Sequence, residues 1–208
     1  RVAIKIDPYL NEAWTNLGAV YFDSGRIHDS INAIQQAIKI EPNDSDAWYN
    51  LGQCYRDLEQ YSDAITAYQQ AIAITPNYTD ALFKLGRSHD NLGHTQDSIT
   101  AYQQTIKIDP NYFDAWNNLG TVYDDIGDYI NAIKSLKTAI KINPNSVIPL
   151  INLGNTYNKA GRPTEAISVL KKAISINSNI AGTWINLANA YRALGDYVNA
   201  LAALNKAR

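Results

Sequence analysis

Methionine is absent from this sequence, and cysteine occurs only once, at Cys54. A single cysteine excludes any disulfide within the chain, so an oxidising compartment is not needed to explain a stable fold. Excess charge of one sign is missing too: 18 Lys and Arg stand against 20 Asp and Glu, for a net charge of −2. A nucleic-acid or anionic-membrane surface calls for clustered bases, which this balance does not supply, so no nucleic acid is expected as a partner. No apolar run approaches the roughly 18 residues of a membrane span, so no membrane insertion is expected. The opening RVAIKIDPYL lacks the charged-then-apolar pattern of a signal peptide. The compartment is left open, with the cytoplasm favoured. Without an initiator methionine the sequence reads as a segment of something longer. What is present is a globular composition, 46% apolar and 10% aromatic, enough to build a packed structure.

The organisation emerges from tryptophan. Trp14, Trp48, Trp116 and Trp184 are spaced at 34 residues or twice that. Units that begin three residues earlier span 11–44, 45–78, 79–112, 113–146, 147–180 and a truncated 181–208, with 1–10 as the end of a preceding repeat. Together they are expected to form one continuous domain. Each position then becomes a column. Place four reads Trp14, Trp48, Leu82, Trp116, Leu150, Trp184, and places seven and eight read Leu-Gly in every unit until Leu187-Ala188. Place eleven is Tyr except for His89, place twenty is always Ser or Ala, and place twenty-seven is Ala except for Thr105. Pro8, Pro42, Pro76, Pro110 and Pro144 close the turns.

Places four, seven, eight and eleven share one side of a helix at 3.6 residues per turn, and places twenty, twenty-four and twenty-seven share one side of a second. Each unit is therefore two helices, the first ended by Gly at place fifteen (Glu59 being the one departure) and the second by Pro at place thirty-two. Gly at place eight sits inside a helix at a cost of roughly 1 kcal/mol relative to Ala, which implies that a neighbouring helix needs the room.

The pattern W-x2-LG-x2-Y, then A-x3-aromatic or Leu, then Pro, resembles the tetratricopeptide repeat (TPR) over essentially the whole chain. The resemblance implies an all-α, right-handed α-solenoid of stacked helix-turn-helix units, with the first helices lining a concave groove. It also implies a protein-protein interaction scaffold rather than an enzyme. No nucleophile-base pair, phosphate loop or metal spacing appears, and no cofactor is expected.

Places two, six, nine and thirteen point away from the packing side and are the candidate groove positions. Place six reads Asn16, Asn50, Lys84, Asn118, Asn152, Asn186, a column of amides able to pair with the main chain of an extended peptide, interrupted by Lys84. Acids at place two (Glu12, Asp46, Asp80, Asp114) are explained by the helix macrodipole, whereas Asp23, Asp57 and Asp125 at place thirteen oppose it. Lys84 and Arg87 are the only bases in the outward places of the first four units, and Lys159 is the only charge there in the last two. Asp90 and Asp124 flank the groove, as do the rings of Tyr49 and Phe83, which could receive an apolar anchor. Ile148, Ile151 and Ile185 make an apolar patch further along.

The expected ligand is thus a protein or peptide segment carrying Lys or Arg and partly apolar. Two alternatives remain. The amide column resembles that in the substrate-recognition arm of protein O-linked N-acetylglucosamine transferases, and exposed terminal repeats could self-associate through Leu201, Leu204 and Ala207 at one end and Val2, Ile4 and Ile6 at the other. The clamp by which some family members hold a chaperone's C-terminal carboxylate is not matched, since Thr15, Ala19, Asn50, Asp80 and Lys84 stand at its positions. His28, His89 and His94 come from different places in the unit and read as packed rings rather than metal ligands. Cys54 reads as an inert thiol.

Overall fold

The structure, a computed structural model, describes residues 9–207, so Val2, Ile4, Ile6 and Pro8 lie outside the described residues. Among the described residues there are twelve α-helices and no strand. They are α1 (Asn11–Asp23), α2 (Ile27–Ile40), α3 (Ser45–Asp57), α4 (Tyr61–Ile74), α5 (Thr79–Asn91) and α6 (Thr95–Ile108). Then follow α7 (Phe113–Asp125), α8 (Tyr129–Ile142), α9 (Val147–Lys159), α10 (Pro163–Ile176), α11 (Ala181–Ala193) and α12 (Tyr197–Lys206). The fold is an all-α repeat solenoid of helical hairpins. Two compact units divide the chain, Arg1–Pro110 and Asn111–Arg208.

Within the first five hairpins the place-eight glycine accounts for the closeness of the two helices. A Cβ built on Gly18, Gly52, Gly86, Gly120 or Gly154 would stand 2.5–2.7 Å from the place-twenty-four side chain of the partner helix, respectively Ile34, Tyr68, Tyr102, Leu136 and Leu170. All five of those side chains are almost wholly buried. Ser30 tightens the first hairpin further by donating from Oγ to the carbonyl of Gly18 at 2.7 Å. The small residues at place twenty are therefore the counterpart of the glycine, one on each side of the contact.

The turn inside each hairpin is equally uniform. Gly25, Gly93, Gly127, Gly161 and Gly195 have φ between 70° and 77°, the left-handed region in which a side chain is strained, and Glu59 adopts it too, at 58°. The next residue donates its backbone N–H to the place-eleven carbonyl in all six turns, from Arg26 to Tyr21 through Asp196 to Tyr191. That bond satisfies a carbonyl the ending helix leaves orphaned and holds places eleven and sixteen together in space.

Between hairpins, α2 packs on α3 and α4 on α5 in the first unit, while α8 packs on α9 and α10 on α11 in the second. Ile34, Ala37, Ala47, Leu51, Cys54 and Ala67 form one core cluster. Leu136, Leu153, Tyr157, Leu170 and Leu187 are the large members of another. The tryptophans do more than fill space: the indole N–H of Trp48 donates to the Pro42 carbonyl at 2.9 Å, and that of Trp184 to the Ser178 carbonyl at 2.8 Å, tying each first helix to the turn before it. First helices are also buried at places three and ten, at Ala47, Ala81, Ala115 and Thr183 and at Cys54, Ser88, Val122, Thr156 and Ala190. The place-ten column has no common chemistry, so periodicity alone did not mark it as core.

Two substitutions follow from these contacts. Gly154→Ala forces a methyl into Leu170, which is 0% exposed and has nowhere to move. It should lower stability by about 1–3 kcal/mol in spite of Ala's better helix propensity, read as a drop in thermal or urea midpoint. Glu59→Gly removes the strain of a left-handed non-glycine residue and should raise stability by roughly 1 kcal/mol in the same assay. Gly127→Ala should do the reverse.

Candidate functional site

The outward faces of the first helices can be built up one unit at a time. In the first unit, Asp23 and Asn50 line a single cleft of about 190 Å³ with Ala19, Phe22, Ile34, Gln53 and Cys54. Asp23 is the last residue of α1 and is exposed, and it forms no ion pair among the described residues. Asn50 sits on α3 beside it, its Oδ1 accepting from Gln53 at 3.4 Å. The cleft therefore offers one carboxylate, two side-chain amides and apolar walls. Burial pushes the Cys54 thiol above its ordinary pKa, against a smaller downward pull from its contact with Ser30 at 3.2 Å, so it contributes no charge.

The other groove candidates of this unit differ in how much they still offer. Asp57 is held by its neighbour Arg56 at 2.6 Å, which neutralises part of its charge. Tyr49 stacks on Tyr78 with ring centroids 5.1 Å apart and leans on Tyr68, and burial, with Asp80 nearby, raises its pKa. Phe83 is 5% exposed and lies against Tyr102 with 5.9 Å between centroids. Phe83 is committed to packing, which corrects the expectation that its ring could receive an apolar anchor, whereas Tyr49 is only half-buried. Lys84 reaches to within 5.7 Å of the Phe83 ring, whereas Asn16 and Arg87 are exposed. The place-two acid Asp46 accepts from the Tyr78 hydroxyl at 2.7 Å, and burial and this carboxylate together raise the Tyr78 pKa. Asp46 thus has a specific partner in addition to the macrodipole.

In the second unit the amides are wired together. Asn152 donates from Nδ2 to Asn117 Oδ1 at 3.1 Å, and Asn117 donates in turn to Asn118 Oδ1 at 3.3 Å. Asn186 is engaged through its backbone carbonyl, which accepts from Asn158 at 2.9 Å. Asp124 is not a free flanking acid: it is 8% exposed and pairs with Lys159 at 2.5 Å, which raises the pKa of that lysine. Asp125 beside it is exposed, at the last position of α7. Of the three isoleucines further along, Ile148 is 59% exposed and Ile185 45% exposed, while Ile151 is half-buried.

Sequence reasoning missed the Asp124–Lys159 pair and the Asn117–Asn152 bond, although one signal covers both. Each joins residues 35 apart, one period plus one, because α7 meets α9 with a one-residue offset along the outward face. It also missed that the turn between α5 and α6 brings His89, His94 and Asp97 together. His89 Nδ1 lies 3.4 Å from His94 Nδ1 and 4.0 Å from Asp97 Oδ2. Burial lowers the His89 pKa, Asp97 opposes the shift, and His94 adds a smaller lowering.

Comparison with known proteins accords with this architecture. Stretches 15–79, 113–146, 135–168 and 157–208 match the family described as tetratricopeptide repeat, and 91–127 matches one described as TPR repeat. No curated protein sequence matches. Among solved structures, the MamA protein is 26% identical with a TM-score of 0.77, over 81% of this chain and 92% of that one. YrrB, described as a TPR protein with an unusual peptide-binding site, is 18% identical with a TM-score of 0.75, over 98% of this chain and 96% of that one. A tetratricopeptide repeat protein from Parabacteroides merdae reaches a TM-score of 0.82 at 18% identity, over 94% of this chain and 78% of its own. Helical hairpins, the glycine contact and these matches together make the chain a member of the tetratricopeptide repeat family, with the architecture of a protein-protein interaction scaffold.

Proposed function

We propose that the protein binds an extended partner segment carrying Lys or Arg beside apolar residues, along the outward face of its first helices. The observation that carries this reading is the cleft of about 190 Å³ in which Asp23 and Asn50 meet over Ala19 and Phe22. A basic side chain has two parts, an apolar stem and a charged head, and the cleft answers both, with apolar walls for the stem and the exposed Asp23 carboxylate and Asn50 and Gln53 amides for the head. Asp23 and Asp125 each stand at a helix C-terminus, where the macrodipole disfavours an acid by about 0.3–1 kcal/mol. An incoming cation would relieve that repulsion. Asn16, Asn118, Asn152 and Asn186 supply hydrogen bonds to main chain, Asn118 and Asn152 in competition with the side-chain bonds described above, and Ile148 and Ile185 supply apolar contact.

Since Arg56 already pairs with Asp57, Asp23 is the stronger determinant of the two. Titrating a fluorescent peptide of alternating Lys and Leu should show Asp23→Lys weakening binding by about tenfold, roughly 1.4 kcal/mol, with Asp57→Asn changing it less. Raising ionic strength toward 1 M should weaken the wild-type complex, because the charges are exposed. Equal affinity for wild type, Asp23→Lys and an Asp23→Lys/Asp125→Lys double variant would sink the acidic-site reading.

A further inference from the structure

The third hairpin departs from the others at one point in space. In every hairpin the backbone bond from place sixteen to place eleven sets these two residues side by side, with place nineteen one turn into the second helix. In the first hairpin the trio is Tyr21, Arg26 and Asp29, and Arg26 lies 4.4 Å above the tyrosine ring and 2.6 Å from the carboxylate. The fifth repeats it with Tyr157, Arg162 and Glu165, at 4.9 Å and 2.6 Å. In the fourth and sixth, Asp128 accepts from Asn131 and Asp196 from Asn199, each at 2.6 Å. These are self-satisfied clasps across the turn. The third hairpin keeps the carboxylate, Asp97, but replaces both of the other members with imidazoles, His89 and His94.

We propose that His89, His94 and Asp97 form a binding site for a divalent transition-metal ion of the zinc class. The two Nδ1 atoms face one another at 3.4 Å. A hydrogen bond between ring nitrogens is shorter than that as a rule, about 2.7–3.2 Å by the standards of N–H donors. Two ligand atoms about 2.0–2.1 Å from a tetrahedral ion, on the other hand, stand about 3.3 Å apart. The ligand atoms of all three side chains lie within 4.8 Å of one another. Asp97 Oδ2 is 4.0 Å from His89 Nδ1, and its side chain is 65% exposed, so a small rotation closes the remaining gap. Two imidazoles and one carboxylate are the donor set that suits zinc and its neighbours rather than magnesium or calcium, which prefer all-oxygen surroundings.

The backbone holds this arrangement in place. Gly93, at φ 71°, reverses the chain between the two histidines, and the His94 N–H donates to the His89 carbonyl at 2.9 Å. Part of the entropy of gathering ligands is therefore met by the turn that every hairpin must form in any case. Three protein ligands leave a fourth tetrahedral position, and the exposure of His94 and Asp97 turns it toward solvent, where water or a donor from another molecule can complete the set.

The test uses the full tag-free chain and cobalt(II) as a spectroscopic probe, followed by zinc(II). The expected result is one cobalt per chain with a visible band of tetrahedral type, displaced by zinc, and a zinc-dependent rise in melting midpoint. His94→Gln and Asp97→Asn should each weaken binding by more than about tenfold, since losing even an outer-shell partner has effects of that size. His89→Tyr installs the residue present at this place in the other hairpins, so the variant should fold and lose the band, with circular dichroism checking the fold. His28→Gln should bind as wild type does. Absence of a cobalt band at 100 micromolar protein and metal, or a band that survives in the His89→Tyr/His94→Gln double variant, would overturn the proposal.

Discussion

The contact on which this structure depends is that between a bare stretch of helix and a bulky side chain. At Gly18, Gly52, Gly86, Gly120 and Gly154 the first helix presents no Cβ, and the second helix presses Ile34, Tyr68, Tyr102, Leu136 or Leu170 into the gap. Closing that gap brings the helices near enough for the small residues at place twenty to meet the opposing backbone, as Ser30 does with Gly18. The angle and spacing of the hairpin follow, and with them the surface each hairpin shows to the next. Glycine inside a helix costs about 1 kcal/mol, and burial of a large side chain recovers about 1.5–3 kcal/mol, so the exchange favours the close approach.

A repeat built this way frees some positions and binds others. From α3 onward the packing side of the first helices is committed at places three, four, seven, eight, ten and eleven, and only the outward side can vary without disturbing the stack. Variation there is not independent between the fourth and fifth hairpins, because α7 and α9 meet with an offset of one residue. Asp124 and Lys159 neutralise one another across that offset, and Asn117 and Asn152 share a hydrogen bond. The charge presented to a partner is therefore what survives these pairings. Asp23 and Asp125 remain exposed, whereas Asp57 is shared with Arg56 and Asp124 is consumed.

The turn inside the hairpin is the second place where variation gathers. Its backbone is held by the same bond in all six hairpins, yet the side chains it brings together are Tyr with Arg, Tyr with Gln, Tyr with Asp, or His with His. A fixed frame with changing side chains is how a scaffold acquires local chemistry without altering its fold. Columns read one at a time conceal this, since His89 counts as a lapse from tyrosine and His94 as one residue of a mixed column. Place eleven joined to place sixteen makes the pairing visible.

The sequence by itself determined the helical hairpin, its period and its packing side, because those rest on Trp, Leu, Gly, Tyr and Ala recurring at intervals that a helix turns into one face. It determined the turn as well, through Gly at place fifteen, and it pointed out Glu59 as the residue held at 58° without glycine's freedom. Tertiary structure alone decided that Phe83 is buried against Tyr102, that Asp124 is paired with Lys159, and that place ten belongs to the core. The physical reason is the same for all three. Each depends on how a helix is offset and rotated against a neighbour from another part of the chain, and a one-helix periodicity carries no information about that relation.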